Sequence, residues 1–505
     1  MTPSDNHYRC AKQGRTPMTS RYPKILASLV AALAVTACGG GGSSGSIAPP
    51  PPDDGGDTGG IDRTGLRVLG SISGFGSVVV DGVRIDTSGA TFEVDDAAAT
   101  EDDLKTGEIV FVAGEIDDDG NATAATVVTD DLLRGPIESI DLVAATFVVL
   151  GQTVKVEVDT AFDDAVPSNA IDGLAVGQAV RVDGFLSPDG RIIATRVEPD
   201  DGDDLQVVGV VGNLDATALT FNIGSLLIDY SAAAFEDFGG ADLADGQVVE
   251  VEGTALAAGG ELPASKVERV TDDLGADDDD RAEIEGIVTA VLSSTEFEVN
   301  GIAVITDSAT VYEGGGSADI VEGARVDVDA VAQPGGSLLA TKVEFEPDRI
   351  VEIEAVVEAV DSAAGTLQTL GITVVIEEGT RLEDDSDLDL RRFSLADINV
   401  GDFVEIGGSE SDAAADEAIA VLLKRDDDGD DGVELQARVQ SVSDPDFTLL
   451  GVTVRTTANT EFEDGDIEIP AAEFFANAAG RVVDVEGTWD GSVLTAEEVE
   501  FEVED

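Results

Sequence analysis

Three runs of aspartate hold the densest potential chemistry in this 505-residue chain: Asp200-Asp201-Gly202-Asp203-Asp204, Asp277 to Asp280, and Asp426-Asp427-Asp428-Gly429-Asp430-Asp431-Gly432. Clustered carboxylates offer hard oxygen ligands, which makes Asp200, Asp203, Asp426, Asp428 and Asp430 the candidate calcium ligands and calcium the one cofactor considered. No run fits the EF-hand loop: counted from Asp426, position six is Asp431 and position twelve is Ala437, where that loop needs Gly and Glu. The runs are short, and they read more readily as solvated, self-repelling linkers. Asp117-Asp118-Asp119-Gly120 reads as a hairpin turn.

Paired carboxylates also cleave glycosides, but among 104 Asp and Glu residues any one pair is uninformative. A sugar site needs aromatic or polar walls, and Trp489, Tyr230 and Tyr312 stand far apart in sequence. Phe92, Phe147, Phe221 and Phe297 recur at strand positions and read as core. The only His is His7, the Met residues are Met1 and Met18, and the Cys residues are Cys10 and Cys38. Beyond Cys38 there is therefore no His, Met or Cys, which excludes His-based triads, His or Cys zinc sites and thiol nucleophiles there. No catalytic residue is assigned, and the expectation is a protein that is not an enzyme.

The formal charge is −76. Residues 1–37 carry Arg9, Lys12, Arg15, Arg21 and Lys24 against Asp5, a net of +4, so the remainder carries −80. Nucleic acid needs a basic track to displace counterions, and the basic residues here are scattered, so nucleic acid is excluded as a partner. A cation-attracting, soluble particle fits this charge, and so does a saline habitat.

Arg21-Tyr-Pro-Lys24 followed by the apolar stretch Ile25 to Val35 is a basic n-region and a short h-region. That stretch is shorter than the roughly 20 residues that span a bilayer. Val35-Thr36-Ala37-Cys38 resembles a bacterial lipobox, with Cys38 the lipidation candidate and residues 1–37 its signal peptide. Met18 lies at the start of a signal of normal length and is the expected initiator. Residues 38–65 form the tether; Gly39 to Gly60 hold almost nothing to bury and are expected to be disordered, with a coil dimension of about 25 Å. Gly39 after the cysteine resembles outer-membrane sorting in enterobacteria, so the body is expected to be lipid-anchored at the outer membrane, facing the periplasm or the cell surface.

The elements behind this address repeat six times. Val176-Gly177, Val180, Val182, Gly184, Gly190, Ala194, Val197 and Glu198 set a frame that returns at anchor glycines Gly107, Gly246, Gly323, Gly401 and Gly480. The units are 66–130, 133–199, 205–272, 281–347, 350–426 and 433–503. Units this small are marginal alone, so contacts between neighbours are expected, as beads that touch rather than a continuous stack. Within unit two, Ile137 to Ile140, Thr146 to Leu150 and Val154 to Val158 read as strands, with a turn at Gly151-Gln152. A polar crossover from Asp163 to Gly173 leads to a closing hairpin around Ser187-Pro188-Asp189-Gly190. Thr-x-x-acidic segments such as Thr310 to Glu313 and Thr380 to Glu383 follow the third strand, and Leu395–Ile398 and Ala471–Ala479 are candidate short crossover helices.

Three strands, a crossover and two strands is the order of a five-stranded OB-type barrel, so the expected fold is mainly β: six tandem OB-like barrels after the tether. A small β-sandwich is the alternative. The Val-Gly…Val-x-Val-x-Gly…Gly…Ala…Val-Glu frame, over residues 66 to about 503, resembles a family of bacterial lipoproteins with tandem small β domains of unknown function. That resemblance implies fold and address and no chemistry. The leading expectation is a non-enzymatic, lipid-anchored envelope protein with a structural or binding role, touching the membrane through its lipid only. The alternatives are a calcium or glycan binding module and, more distantly, a carboxylate-based hydrolase; an envelope protein, a glycan or a cation is the expected partner.

Overall fold

The computed structural model describes residues 63–502, apart from residues 76, 81, 118, 164, 203, 271–273, 348, 387, 389, 412, 427–431 and 466. Unit two shows how the frame folds. Its first strand, Leu133–Asp141, pairs antiparallel with Thr146–Val149, which pairs with Gln152–Lys155. The third strand runs parallel to the last, Ile192–Pro199, which pairs with Ala179–Leu186, which returns to the first. The circuit closes on itself, so the unit is a barrel in OB order and not a sandwich. The short crossover strand Ala161–Phe162 continues the pairing along the second half of the last strand.

Two kinds of glycine explain the frame. Each anchor glycine has a positive φ, from +79° at Gly107 to +98° at Gly401, a region that disfavours any side chain. In that conformation its N–H donates to a first-strand carbonyl, as Gly177 does to Ile137 and Gly323 to Val288, at 2.8 and 2.9 Å. The second glycine sits at a bulge in the fourth strand, where a Cβ on Gly184 or Gly487 would lie 2.0 or 2.2 Å from the facing carbonyl oxygen.

The first hairpins of units two, five and six place Leu150, Leu370 and Leu450 at φ +49°, +50° and +44°. Left-handed leucine costs roughly 1–2 kcal/mol. All three side chains are buried, and about 1.5–3 kcal/mol from burying a leucine offsets that. The threonine of the crossover segment is a strut. Thr160, Thr310, Thr380 and Thr460 donate their hydroxyls to the Ala194, Ala340, Ala420 and Ala496 carbonyls at 2.7–2.8 Å. The expected short helices are a 3-10 turn at Leu395–Asp397 and an α-helix at Ala471–Asn477. Phe147, Phe221 and Phe297 are buried in barrel cores and Phe92 is half-buried.

The barrels are more tightly joined than beads in a row. Units two and three share a sheet through antiparallel first strands, Val207 opposite Leu133, and units five and six do the same, Ile353 opposite Leu435. Units one and four, distant in sequence, join through parallel first strands, with Leu66 to Leu69 beside Arg281 to Ile284. Side chains then tie these pairs together. Arg391 of unit five donates to the Leu104 carbonyl at 3.0 Å and covers the Phe75 ring of unit one at 3.9 Å. Arg325 of unit four bonds Glu157 of unit two at 2.7 Å. Asn169 of unit two bonds Asp385 of unit five at 2.8 Å. Asp280, from the second aspartate run, packs against Gly65 and lies 3.6 Å from Arg67, so that joint is a contact between units one and four and not a free spacer. The sequence predicts contacts between chain neighbours alone; the barrels instead also meet across the chain, because the front half of a first strand pairs on one side only within its own closed barrel, and another barrel's first strand takes the other side.

Candidate functional site

Strand alternation puts apolar residues inside each barrel and charged residues outside, and the shared sheets gather those outer residues into rows. In units two and three the rows are neutralised internally. Arg134 lies 2.7 Å from Asp95 and also contacts Asp131. Arg196 lies 2.6 Å from Glu198, and its Nη1 donates to the Thr106 carbonyl of unit one at 3.0 Å. Lys266 lies 3.3 Å from Glu250, 3.0 Å from Glu268 and 3.2 Å from Asp96, and contacts Glu252. Burial, reinforced by neighbouring carboxylates, raises Glu108 to about 7 and Asp131 to about 6, and holds Asp183 well above the usual range.

The sheet shared by units five and six is different. Glu405 stands opposite Glu354, Glu354 opposite Glu434, Glu434 opposite Glu486, Glu486 opposite Glu498 and Glu498 opposite Glu461. One row thus carries a carboxylate on each of six adjoining strands, and Lys424, opposite and in contact with Glu405, ends it with a positive charge. Directly opposed side chains have Cβ atoms about 4.5–5.5 Å apart, and like charges there repel. Beside this row Asp484 faces Glu500, and Glu500 faces Glu463. Burial first, then neighbouring carboxylates, raises Glu354, Glu434 (to about 7), Asp484 and Glu498. Asp484 Oδ1 is shut off from solvent and accepts no hydrogen bond. Glu463, Glu498 and Glu500 each present one oxygen within 4.8 Å of the other two, the one such carboxylate group among the described residues.

The residues singled out in the sequence lie elsewhere. Cys38, Met18, the signal-like segment, the tether as far as Asp62, and Asp203, Asp428 and Asp430 fall outside the described residues. Asp200 closes a turn: its carboxylate accepts the Gly202 N–H at 2.9 Å, and its own N–H donates to Ala179. Asp426 ends the strand Glu417–Asp426 and lines a cleft of about 850 Å³ with Asp402, Arg425, Glu358 and Trp489. Asp200 and Asp426 belong to different shared sheets and are not brought together. Trp489 donates its indole N–H to Glu358 at 2.8 Å. Tyr230 is not isolated: it packs between Phe221 and Phe235, with ring centroids 5.8 Å away on either side.

The model of one protein family, described as a domain of unknown function, DUF5666, matches residues 68–128, 134–198, 208–268, 285–344, 354–415 and 436–500. The chain belongs to the DUF5666 family. No curated protein matches it. Six DUF5666 domains in tandem account for the repeat, and the closed barrel is the form each takes here. Among the described residues no helix is long and apolar enough to cross a membrane. The glutamate row escapes a reading of the sequence, because its members lie on six strands whose register the sequence does not print. The signal is present in one place: aligned on the repeat, Arg196, Lys266 and Lys342 occupy the position that Glu498 holds in the sixth DUF5666 unit.

Proposed function

We propose that this DUF5666 protein is a non-enzymatic, lipid-anchored protein of the bacterial cell envelope, with a structural or binding role at the outer membrane. The observation that carries the reading is the order of residues 21–46: a basic start, a short apolar stretch, Val35-Thr36-Ala37-Cys38, then a Gly/Ser tether. A lipid on Cys38 would hold the six-barrel body to a membrane, while the strongly acidic composition keeps it off anionic lipid surfaces. The non-enzymatic part is supported by the absence of His, Met and further Cys beyond Cys38, and by the use of Arg134, Arg196, Arg325 and Arg391 in contacts between units.

The test is metabolic labelling with an alkyne fatty acid, followed by membrane fractionation of wild type and Cys38→Ser. Label and membrane association in the wild type, both lost in the variant, are expected. An unlabelled wild-type protein in the soluble fraction would overturn the reading.

A further inference from the structure

The two antiparallel junctions, between units two and three and between units five and six, each open a cleft at the same place in the repeat. In the first, of about 450 Å³, Gly184 and Leu186 meet Val210 and Gly246. In the second, of about 850 Å³, Gly487 and Trp489 take the places of the former two, and Val356 and Gly401 those of the latter. The residue two places beyond the frame's second glycine (Ala330 in unit four) is Ile116, Leu186, Ala255, Ala332 and Glu410 in units one to five. Unit six alone puts an aromatic ring there, and Trp489 is the chain's one Trp.

That ring is held from the neighbouring barrel. Glu358 of unit five accepts the indole N–H at 2.8 Å and the Gly371 N–H at 3.1 Å, which fixes the polar edge of the indole. Trp489 is left half-buried at the cleft. Val356 and Leu388, both exposed, extend the apolar wall, and Asp402, Asn399 and Thr488 bring hydrogen-bonding groups to it. Leu388 and Asn399 belong to the crossover of unit five, Glu383 to Gly401, which is longer than its counterpart in unit three, Glu236 to Gly246. The ring and the long crossover are both absent from the first junction.

We infer that the cleft between units five and six binds a pyranose sugar without negative charge, as one residue of a glycan chain. A pyranose offers an apolar C–H face to the ring of Trp489, and its hydroxyls both donate and accept, which suits Asp402, Asn399 and Thr488. An apolar wall with a few placed polar groups, in a volume of roughly 300–1,000 Å³, is the usual form of a small-ligand site. Glu358, Asp402 and Asp426 line it against Arg425 alone, and Arg425 is already bonded to Asp384 at 2.7 Å. That surplus of carboxylates repels acid sugars and phosphates. The site does not depend on a lipid at Cys38.

Because Trp489 is the one Trp, its fluorescence reads this cleft. The full-length chain is titrated with maltotetraose, cellotetraose, mannotetraose, chitotetraose and, as the acidic control, tetragalacturonate. A saturable change in emission is expected with a neutral oligosaccharide and none with tetragalacturonate. Silence with all four neutral sugars overturns the inference, and so does an equal response to tetragalacturonate. Trp489→Leu, which installs the residue that unit two has at this place, is expected to weaken the binding heat of the responding sugar by roughly tenfold or more in affinity. Undiminished affinity overturns the site. Should Trp489→Leu fail to fold, the double variant Leu388→Ser with Thr488→Ala, at two exposed positions, keeps the reporter. Its emission titration is expected to shift to higher sugar concentration, and an unchanged curve again overturns the site.

Discussion

Lys266 Nζ lies 3.0 Å from Glu268, and both side chains are largely removed from solvent. With Glu250 and Glu252 also in contact, this ammonium balances three carboxylates of its own barrel and reaches Asp96 of unit one at 3.2 Å. Lys266→Met removes the charge and strands Glu250 and Glu268 in a buried setting. Breaking a buried pair from one side costs about 3–5 kcal/mol, so a denaturant titration should show unit three unfolding earlier by that order. An unchanged unfolding curve would show that water screens the ring.

Mild acid should stabilise the protein. Glu108 is raised from 4.5 to about 7 by burial, with Glu198 and Asp131 adding to the rise and the Lys105 N–H and Arg196 opposing it. Between about pH 4.5 and 7 the folded chain holds a proton that the unfolded chain has released. Its contribution is therefore fully present below the unfolded value and is lost as pH climbs through 7; Asp131, raised to about 6, acts in the same direction. Melting temperatures measured from pH 5 to 8 should fall with rising pH, and Glu108→Gln should flatten the slope.

Thr380 accepts the Glu377 N–H at 2.9 Å and donates to the Ala420 carbonyl at 2.7 Å, and its side chain is buried. Thr380→Val keeps the shape and removes both bonds, leaving a backbone donor and an acceptor unmatched. A loss of about 1–3 kcal/mol is expected in equilibrium unfolding.

The arrangement of the six barrels can be read in solution. Small-angle scattering of the full chain should give a radius of gyration set by a folded-back body, close to the roughly 22 Å of a compact chain of that body's length, plus the reach of its tether. A row of separate beads would be far more extended. Arg391→Ala, which removes the contacts with Leu104 and Phe75, should raise the radius if that contact holds units one and five together.

The barrel was legible because its determinants are local: anchor glycines, alternating valines and hairpin glycines each act within one unit. Gly177 and Gly184 mark the bend and the bulge wherever the frame occurs. The union of units one and four was not legible, since nothing near Leu66 indicates that Arg281 to Ile284 will lie beside it. The glutamate row was hidden for a related reason. Glu354, Glu434, Glu486 and Glu498 look like ordinary solvent-facing positions until register lines them up. Aligning the copies on Glu198, Glu268, Glu344 and Glu500 exposes the one informative exception, the acidic residue at 498.

Ser71 donates both its backbone N–H and its hydroxyl to Glu285, at 2.7 and 2.8 Å, across 214 residues of chain. The seam that joins the first barrel to the fourth therefore has to wait until two whole intervening barrels have emerged. Pairings this remote in sequence slow folding, because the long loop must close before its contacts repay it. Until the fourth barrel has emerged, the first can complete its own sheet, but the side of Leu66 to Leu69 that receives Arg281 to Ile284 stays open.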